Sequence, residues 1–162
     1  MTKIYLLLGS NMGERITHLS QASDKIQREI GHITAKSRIY GTQPWGVTHQ
    51  ADFLNQALEV ETSLSPHDVL TKIHGIEDDL GRIRGDKWAE RVIDIDILLF
   101  SNKIINEPNL QIPHAHLHER NFALIPLMDI AGEFEHPVLK QNIEDIYFDN
   151  PDTLEVYEYE AE

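Results

Sequence analysis

The chain reads as an α+β protein, a ferredoxin-like βαββαβ core in which helices cover a mainly antiparallel sheet within a single domain. Three observations predict this. Apolar runs of alternating and helical period follow one another in the order strand, helix, strand, strand, helix, strand. Glycine, proline and other turn residues separate the runs. The length of 162 residues, 41% of them apolar, suffices for one well-buried core and is short for two ordinary domains.

Taken in order, Lys3 to Leu8 is a β-branched and aliphatic run halted by Gly9-Ser10-Asn11, hence a buried strand. Ile16, Leu19, Ile26 and Ile30 recur at helical spacing with Ala22 between them, and Gly31 supplies the stop. Ile33 to Tyr40 reads as a strand, and Gly41 to Gly46, with two glycines and a proline, as an irregular loop. Phe53 to Thr62 alternates, with Leu54, Leu58 and Val60 on one face and Phe53, Asn55 and Ala57 on the other. Ser65, Pro66 and Asp68 match a helix start, Val69, Leu70, Ile73, Ile76 and Leu80 form its apolar stripe, and Gly81 ends it. Val92 to Phe100 is the most strand-like run, with Ile93, Ile95, Ile97 and Leu99 expected on one face. Arg120 to Ile130 suggests a helix that Pro126 shortens or bends.

Charge is distributed unevenly. Eleven acidic residues against one lysine between Asp129 and Glu162 account for −10 of the net −13. The stretch beyond about Asn142 therefore reads as a solvated acidic extension with no assigned role. So acidic a chain is not expected to bind nucleic acid. No apolar run is long enough for a membrane span or a secretory signal, so a cytoplasmic protein without a membrane partner is expected, acting as a monomer. Without cysteine, any metal must sit on oxygen or imidazole ligands, which favours hard cations such as magnesium.

Two acids interrupt the most apolar strand. Asp94 and Asp96 share the face opposite the isoleucines, about 6–7 Å apart along the strand, a spacing suited to holding a pair of magnesium ions against a polyphosphate. Asp-x-Asp alone identifies nothing; its context does. Arg82, Arg84, Lys87, Trp88 and Arg91 sit on a glycine-containing connection leading directly into the acidic strand, so cations and metal carboxylates arrive together, as phosphoryl transfer requires.

The histidines His114, His116 and His118 invite a zinc reading, but no strand-forming residues surround them and no acid completes a hydrolase spacing, so a single phosphate donor, His114, is the simpler role. Gly9-Ser10 with Asp94 and Asp96 is similar to a nucleotidyltransferase pattern, although the separation of the two motifs is far too long. Neither a Walker loop nor a Gly-x-Gly-x-x-Gly fingerprint is present. Three classes stay open on these residues: a phosphoryl-transferring enzyme, a metal-dependent phosphohydrolase or nucleotidyltransferase, and a non-catalytic ligand-binding module.

Six ordered blocks narrow the choice. Leu8-Gly9-Ser10-Asn11, Tyr40 to Gly46, Phe53-Leu54-Asn55, Gly81-Arg82-Ile83-Arg84, Trp88 to Leu98, and Pro113-His114 followed by Arg120-Asn121-Phe122 resemble the 6-hydroxymethyl-7,8-dihydropterin pyrophosphokinase family of folate synthesis. The resemblance implies an ATP-dependent diphosphotransferase whose substrates are ATP and 6-hydroxymethyl-7,8-dihydropterin, with two Mg2+ ions on Asp94 and Asp96. It implies a mobile lid in which Arg82 and Arg91 are catalytic, while Arg84 and Trp88 join Ile97, His114 and Arg120 at the nucleotide. The pterin would lie between Phe53 and Phe122, its polar edge met by Asn55 and Thr42, with Trp45 adding an apolar wall. The chain departs from many relatives at Gln43, Trp45, Phe53 and Glu90.

Overall fold

The computed structural model describes residues 1–43, 51–81 and 92–160. Within them the chain forms β1 (Thr2–Ser10), α1 (Arg15–Glu29), β2 (His32–Lys36), β3 (Tyr40–Thr42), β4 (Phe53–Thr62), α2 (Pro66–Asp79), β5 (Asp94–Phe100), β6 (Ile105–Glu107), β7 (Leu110–Ile112), a 3-10 turn at Leu117–Glu119, α3 (Asn121–Ala131), α4 (Ile143–Asp149) and β8 (Val156–Glu158). One sheet runs β5-β1-β4-β3-β8, with β2 also paired to β4, and every pairing is antiparallel. This is the expected α+β arrangement, and β6 with β7 adds a separate hairpin.

Two cores share the sheet. Ile4, Leu6 and Leu8 face a cluster completed by Leu19, Ala22 and Ile26 of α1 and Val69, Ile73 and Ile76 of α2. Tyr5 and Leu7 face the other side, against Ala123, Leu124 and Leu127 of α3 and Ile143 and Ile146 of α4. A central strand covered by helices on both faces has no polar side to show, which is why Ile4 to Leu8 is continuously apolar. Each such fully buried aliphatic contributes about 1.5–3 kcal/mol. Among the described residues no helix is long and apolar enough to cross a membrane.

The structure corrects several expectations. The strand foreseen from Ile33 to Tyr40 is two strands, because Ser37 accepts the Ala57 N–H through Oγ at 2.8 Å and gives its own hydroxyl proton to the Arg38 carbonyl at 2.6 Å. Ile16, placed on the helix's apolar stripe, is 40% exposed. Leu99 does not share a face with Ile93, Ile95 and Ile97. The pairing of β1 with β5 shifts between Tyr5 and Leu6, leaving Leu98 as the extra residue of a bulge, so Leu98 and Leu99 both enter the second core. The acidic extension is not merely solvated. Asn142 caps α4 by accepting the Asp145 N–H at 2.8 Å, Ile143 and Ile146 are buried, and β8 closes the sheet edge at β3.

Candidate active site

Strand register assembles the site on the face shared with α3. Gly9 stands opposite Asp94 on one side and opposite Asn55 on the other, and Asn55 in turn opposite Tyr40. Directly paired residues share a face, so Asp94, Gly9, Asn55 and Tyr40 form one row across four strands. Asp96 lies in the neighbouring row with Leu7 and Ala57, and Phe53 pairs with Thr42 in the row on the other side. At about 4.8 Å per strand, Asp94 and Asn55 are some 10 Å apart with only Gly9 between them. A side chain at Gly9 would fill that space: a Cβ there would stand 2.7 Å from Asn55 Nδ2. Asn55 and Thr42 are buried, and Asn55 is fixed by donating its amide N–H to the Leu8 carbonyl at 3.2 Å.

Above this face, α3 starts with Arg120 at its N-cap position, and the Arg120 guanidinium lies 5.5 Å from the centre of the Phe122 ring. His114 is tied to β5 by its backbone N–H, which donates to the Leu98 carbonyl at 3.0 Å. Burial first, then the charges of Arg120 and His116, push His114 down to about 4, so the ring is neutral near pH 7. Its Nδ1 accepts the His116 N–H at 3.1 Å, which leaves the ring proton on Nε2 as a donor. Arg120 thus lies beside Phe122 and close enough to His114 for its charge to act on that ring. His116 and His118 instead flank Glu119, at 3.2 and 3.3 Å.

Two supporting carboxylates escaped the sequence reading. Asp129 of α3 accepts from the Arg38 backbone N–H, Nε and Nη2 and from the Tyr40 hydroxyl, all between 2.9 and 3.1 Å, and so locks α3 to β3. Burial opposes the Asp129 charge, but these hydrogen bonds hold its carboxyl below the ordinary range, and Tyr40 is pushed up to about 12 by burial and by Asp129. Glu77 of α2 is buried, and its Oε2 accepts the Ile95 N–H at 2.9 Å, anchoring the residue between the two aspartates on the side of β5 that, among the described residues, pairs with no strand. Its position on the apolar stripe, one residue after Ile76 and three before Leu80, was the available signal.

Other expected residues do not join the site in this way. Ile97 packs its side chain into the first core, facing away from Asp94 and Asp96, because strand alternation puts it there. Trp45, and the basic run holding Arg82, Arg84, Trp88 and Arg91, lie outside the described residues.

For a metal, the donor set is spare. Among the described residues no three His, Asp or Glu side chains converge on one point. Two carboxylates with no imidazole suit Mg2+, which takes one or two protein carboxylates and completes its shell with phosphate oxygens and water.

The sequence pattern described as 7,8-dihydro-6-hydroxymethylpterin-pyrophosphokinase (HPPK) matches residues 5–132, most of the chain. The chain belongs to this family. The 2-amino-4-hydroxy-6-hydroxymethyldihydropteridine pyrophosphokinase of Aquifex aeolicus (strain VF5) is 37% identical over 150 residues, 93% of each chain. The enzyme of the same name from Bacillus subtilis (strain 168) is 42% identical over 132 residues, 81% of this chain and 79% of that one. Among solved structures, wild-type Plasmodium falciparum HPPK-DHPS with SDX-DHP superposes with a TM-score of 0.74 over 91% of this chain at 20% identity, a likeness of fold. This chain spans 43% of that one. The HPPK match takes in β1 to α3, with every residue of the row described above, and stops short of α4 and β8.

Proposed function

We propose that this HPPK-family chain is an enzyme that transfers the diphosphate of ATP to the hydroxyl of 6-hydroxymethyl-7,8-dihydropterin, releasing AMP and the pterin diphosphate for folate synthesis. The observation that supports this reading is the row Asp94, Gly9, Asn55, Tyr40, in which Asp94 and Asn55 stand about 10 Å apart on one sheet face, with Asp96 in the neighbouring row on one side and Phe53 in the row on the other. That separation fits a triphosphate ending beside a bicyclic ring.

In this reading the pterin lies between Phe53 and Phe122, with Asn55 and Thr42 at its polar edge. The hydroxyl oxygen forms its bond to the β-phosphorus and gives up its proton to water, while the bond from that phosphorus to the oxygen shared with the α-phosphate breaks and AMP departs with the electron pair. Asp94 and Asp96 would hold two Mg2+ ions, which when bound supply positive charge to the phosphate oxygens. His114 Nε2–H donates to a phosphate oxygen, and its depressed pKa keeps it a neutral donor at pH 7. Arg120 adds charge beside Phe122. Arg82 and Arg91 are taken as catalytic, with Arg84 and Trp88 at the nucleotide and Trp45 at the pterin. The whole chain is read as one catalytic domain acting in the cytoplasm. A monomer suffices, since one chain supplies both subsites from a single sheet face.

The test is product analysis by 31P NMR and mass spectrometry after incubation with ATP, Mg2+ and the pterin. AMP and the pterin diphosphate must appear in equal amounts. Phosphate release without a pterin product would point to a phosphohydrolase, pyrophosphate release to a nucleotidyltransferase, and no turnover to a binding module; each result sinks the proposal.

A further inference from the structure

The segment after α4 lies beyond the HPPK match, yet it joins α3, which carries Phe122, to β3, which carries Thr42. At the start of α3 the N-cap residue, Arg120, makes no side-chain cap, since a guanidinium has nothing with which to accept an N–H. Asp152 takes that part from a distance of 31 residues. Its Oδ2 accepts the Asn121 N–H at 3.0 Å, and its Oδ1 accepts the Leu154 N–H at 2.9 Å. The Asn121 side chain completes the clasp, donating to the Asp152 carbonyl at 3.2 Å and accepting from Asn150 Nδ2 at 2.8 Å.

From this clasp the chain runs directly into β8, where Val156 pairs with Thr42, while Glu158 meets Arg38 at 2.8 Å. One short stretch therefore holds the first turn of α3 at one end and the edge of β3 at the other. The first turn has particular need of outside support. Pro126 has no N–H to donate to the Phe122 carbonyl four residues back, so the turn bearing Phe122 lacks one of its internal bonds. A carboxylate at a helix N-terminus also meets the positive end of the helix dipole.

We propose that Asp152 is a positioning residue of the pterin pocket: it sets the first turn of α3, and with it Phe122, against the strand that carries Thr42. This deepens the functional reading above and rests on its placement of Phe122 against the pterin.

The experiment is a cycle of full-length variants, Asp152→Asn, Phe122→Ala and the double variant, assayed at a temperature where circular dichroism shows all of them folded. Asp152→Asn keeps a side-chain oxygen for one N–H but cannot satisfy both. Its KM for the pterin is expected to rise about fivefold, the factor a lost helix cap corresponds to, with kcat within about twofold. In the Phe122→Ala background the same change should add nothing, because the residue through which it acts is gone. A lower melting temperature with unchanged pterin KM overturns the inference while leaving the functional reading intact, as does an equal effect of Asp152→Asn in both backgrounds. If Phe122→Ala alone leaves the pterin KM unchanged, the placement of Phe122 fails and the inference falls with it. Should Asp152→Asn not fold, Asn150→Ala leaves the Asp152 carboxylate in place, removes the bond donated to Asn121 and the one accepted from the Asp152 N–H at 3.3 Å, and is judged by the same outcomes.

Discussion

Gly9→Ala tests the geometry of the site most finely. Gly9 needs no left-handed backbone, so alanine is permitted locally and its effect is steric. The new Cβ would stand 2.7 Å from Asn55 Nδ2, about 0.7 Å inside ordinary contact, and 3.9 Å from the Leu54 carbonyl. The Asn55 amide must therefore move, and the 3.2 Å bond it donates to the Leu8 carbonyl is broken in a buried setting. Leaving such a partner unsatisfied costs about 1–3 kcal/mol. If the displaced amide is the group that meets the pterin edge, the pterin KM rises by roughly fivefold to 150-fold on the scale of 1.4 kcal/mol per decade. The assay is steady-state kinetics with each substrate varied in turn, accompanied by calorimetry of pterin binding in the presence of a non-hydrolysable ATP analogue. A variant that loses stability but binds pterin as tightly as the wild type would refute the assignment of Asn55.

Two further outcomes follow from the same packing. His114 falls from the ordinary 6.5 to about 4 on folding, so between those values the unfolded chain binds a proton that the native chain does not. Stability from this group is complete above about pH 6.5 and is lost as pH falls through 4, a contribution on the order of 2–3 kcal/mol; His114→Gln should flatten the pH dependence of the urea midpoint across that window, and an NMR titration of His114 near 6.5 would contradict it. Ile143 is fully buried between α4 and the sheet, so Ile143→Ala should lower stability by about 2–5 kcal/mol by urea unfolding, whereas a loss under 0.5 kcal/mol would restore the picture of a solvated tail.

The parts of the fold that were legible are those whose signal is local. β4 shows the alternation of Leu54, Leu58 and Val60 against Phe53, Asn55 and Ala57, and its bounds coincide with the expectation. The start of α2 is written in Ser65, whose Oγ accepts the Asp68 N–H at 3.2 Å. What was hidden depends on a partner elsewhere in the chain. The bulge that turns Leu99 around exists only against Tyr5 and Leu6 of β1, and the break at Ser37 only against Ala57 of β4. At the C-terminus, abundant acids masked the spacing of Ile143 and Ile146, and three-residue β8 has meaning only beside β3. The site divides in the same way. Asp94 and Asp96 stood out as candidates because charge interrupts an apolar run, whereas Phe53 and Asn55 were singled out only through the resemblance to the family. Asp129, Glu77 and Asp152 were not visible, since each is a surface-type residue whose role appears only with its distant partner.

Turnover is proposed to depend on a cation held by the strand-borne acids Asp94 and Asp96, with the pterin bound by other residues. Asp96→Asn, assayed for turnover across a range of Mg2+ concentrations and for pterin binding in the absence of nucleotide, addresses it directly. Turnover is expected to fall at least about a hundredfold, with pterin affinity within about twofold of the wild type. Full turnover by this variant at low Mg2+ would contradict it.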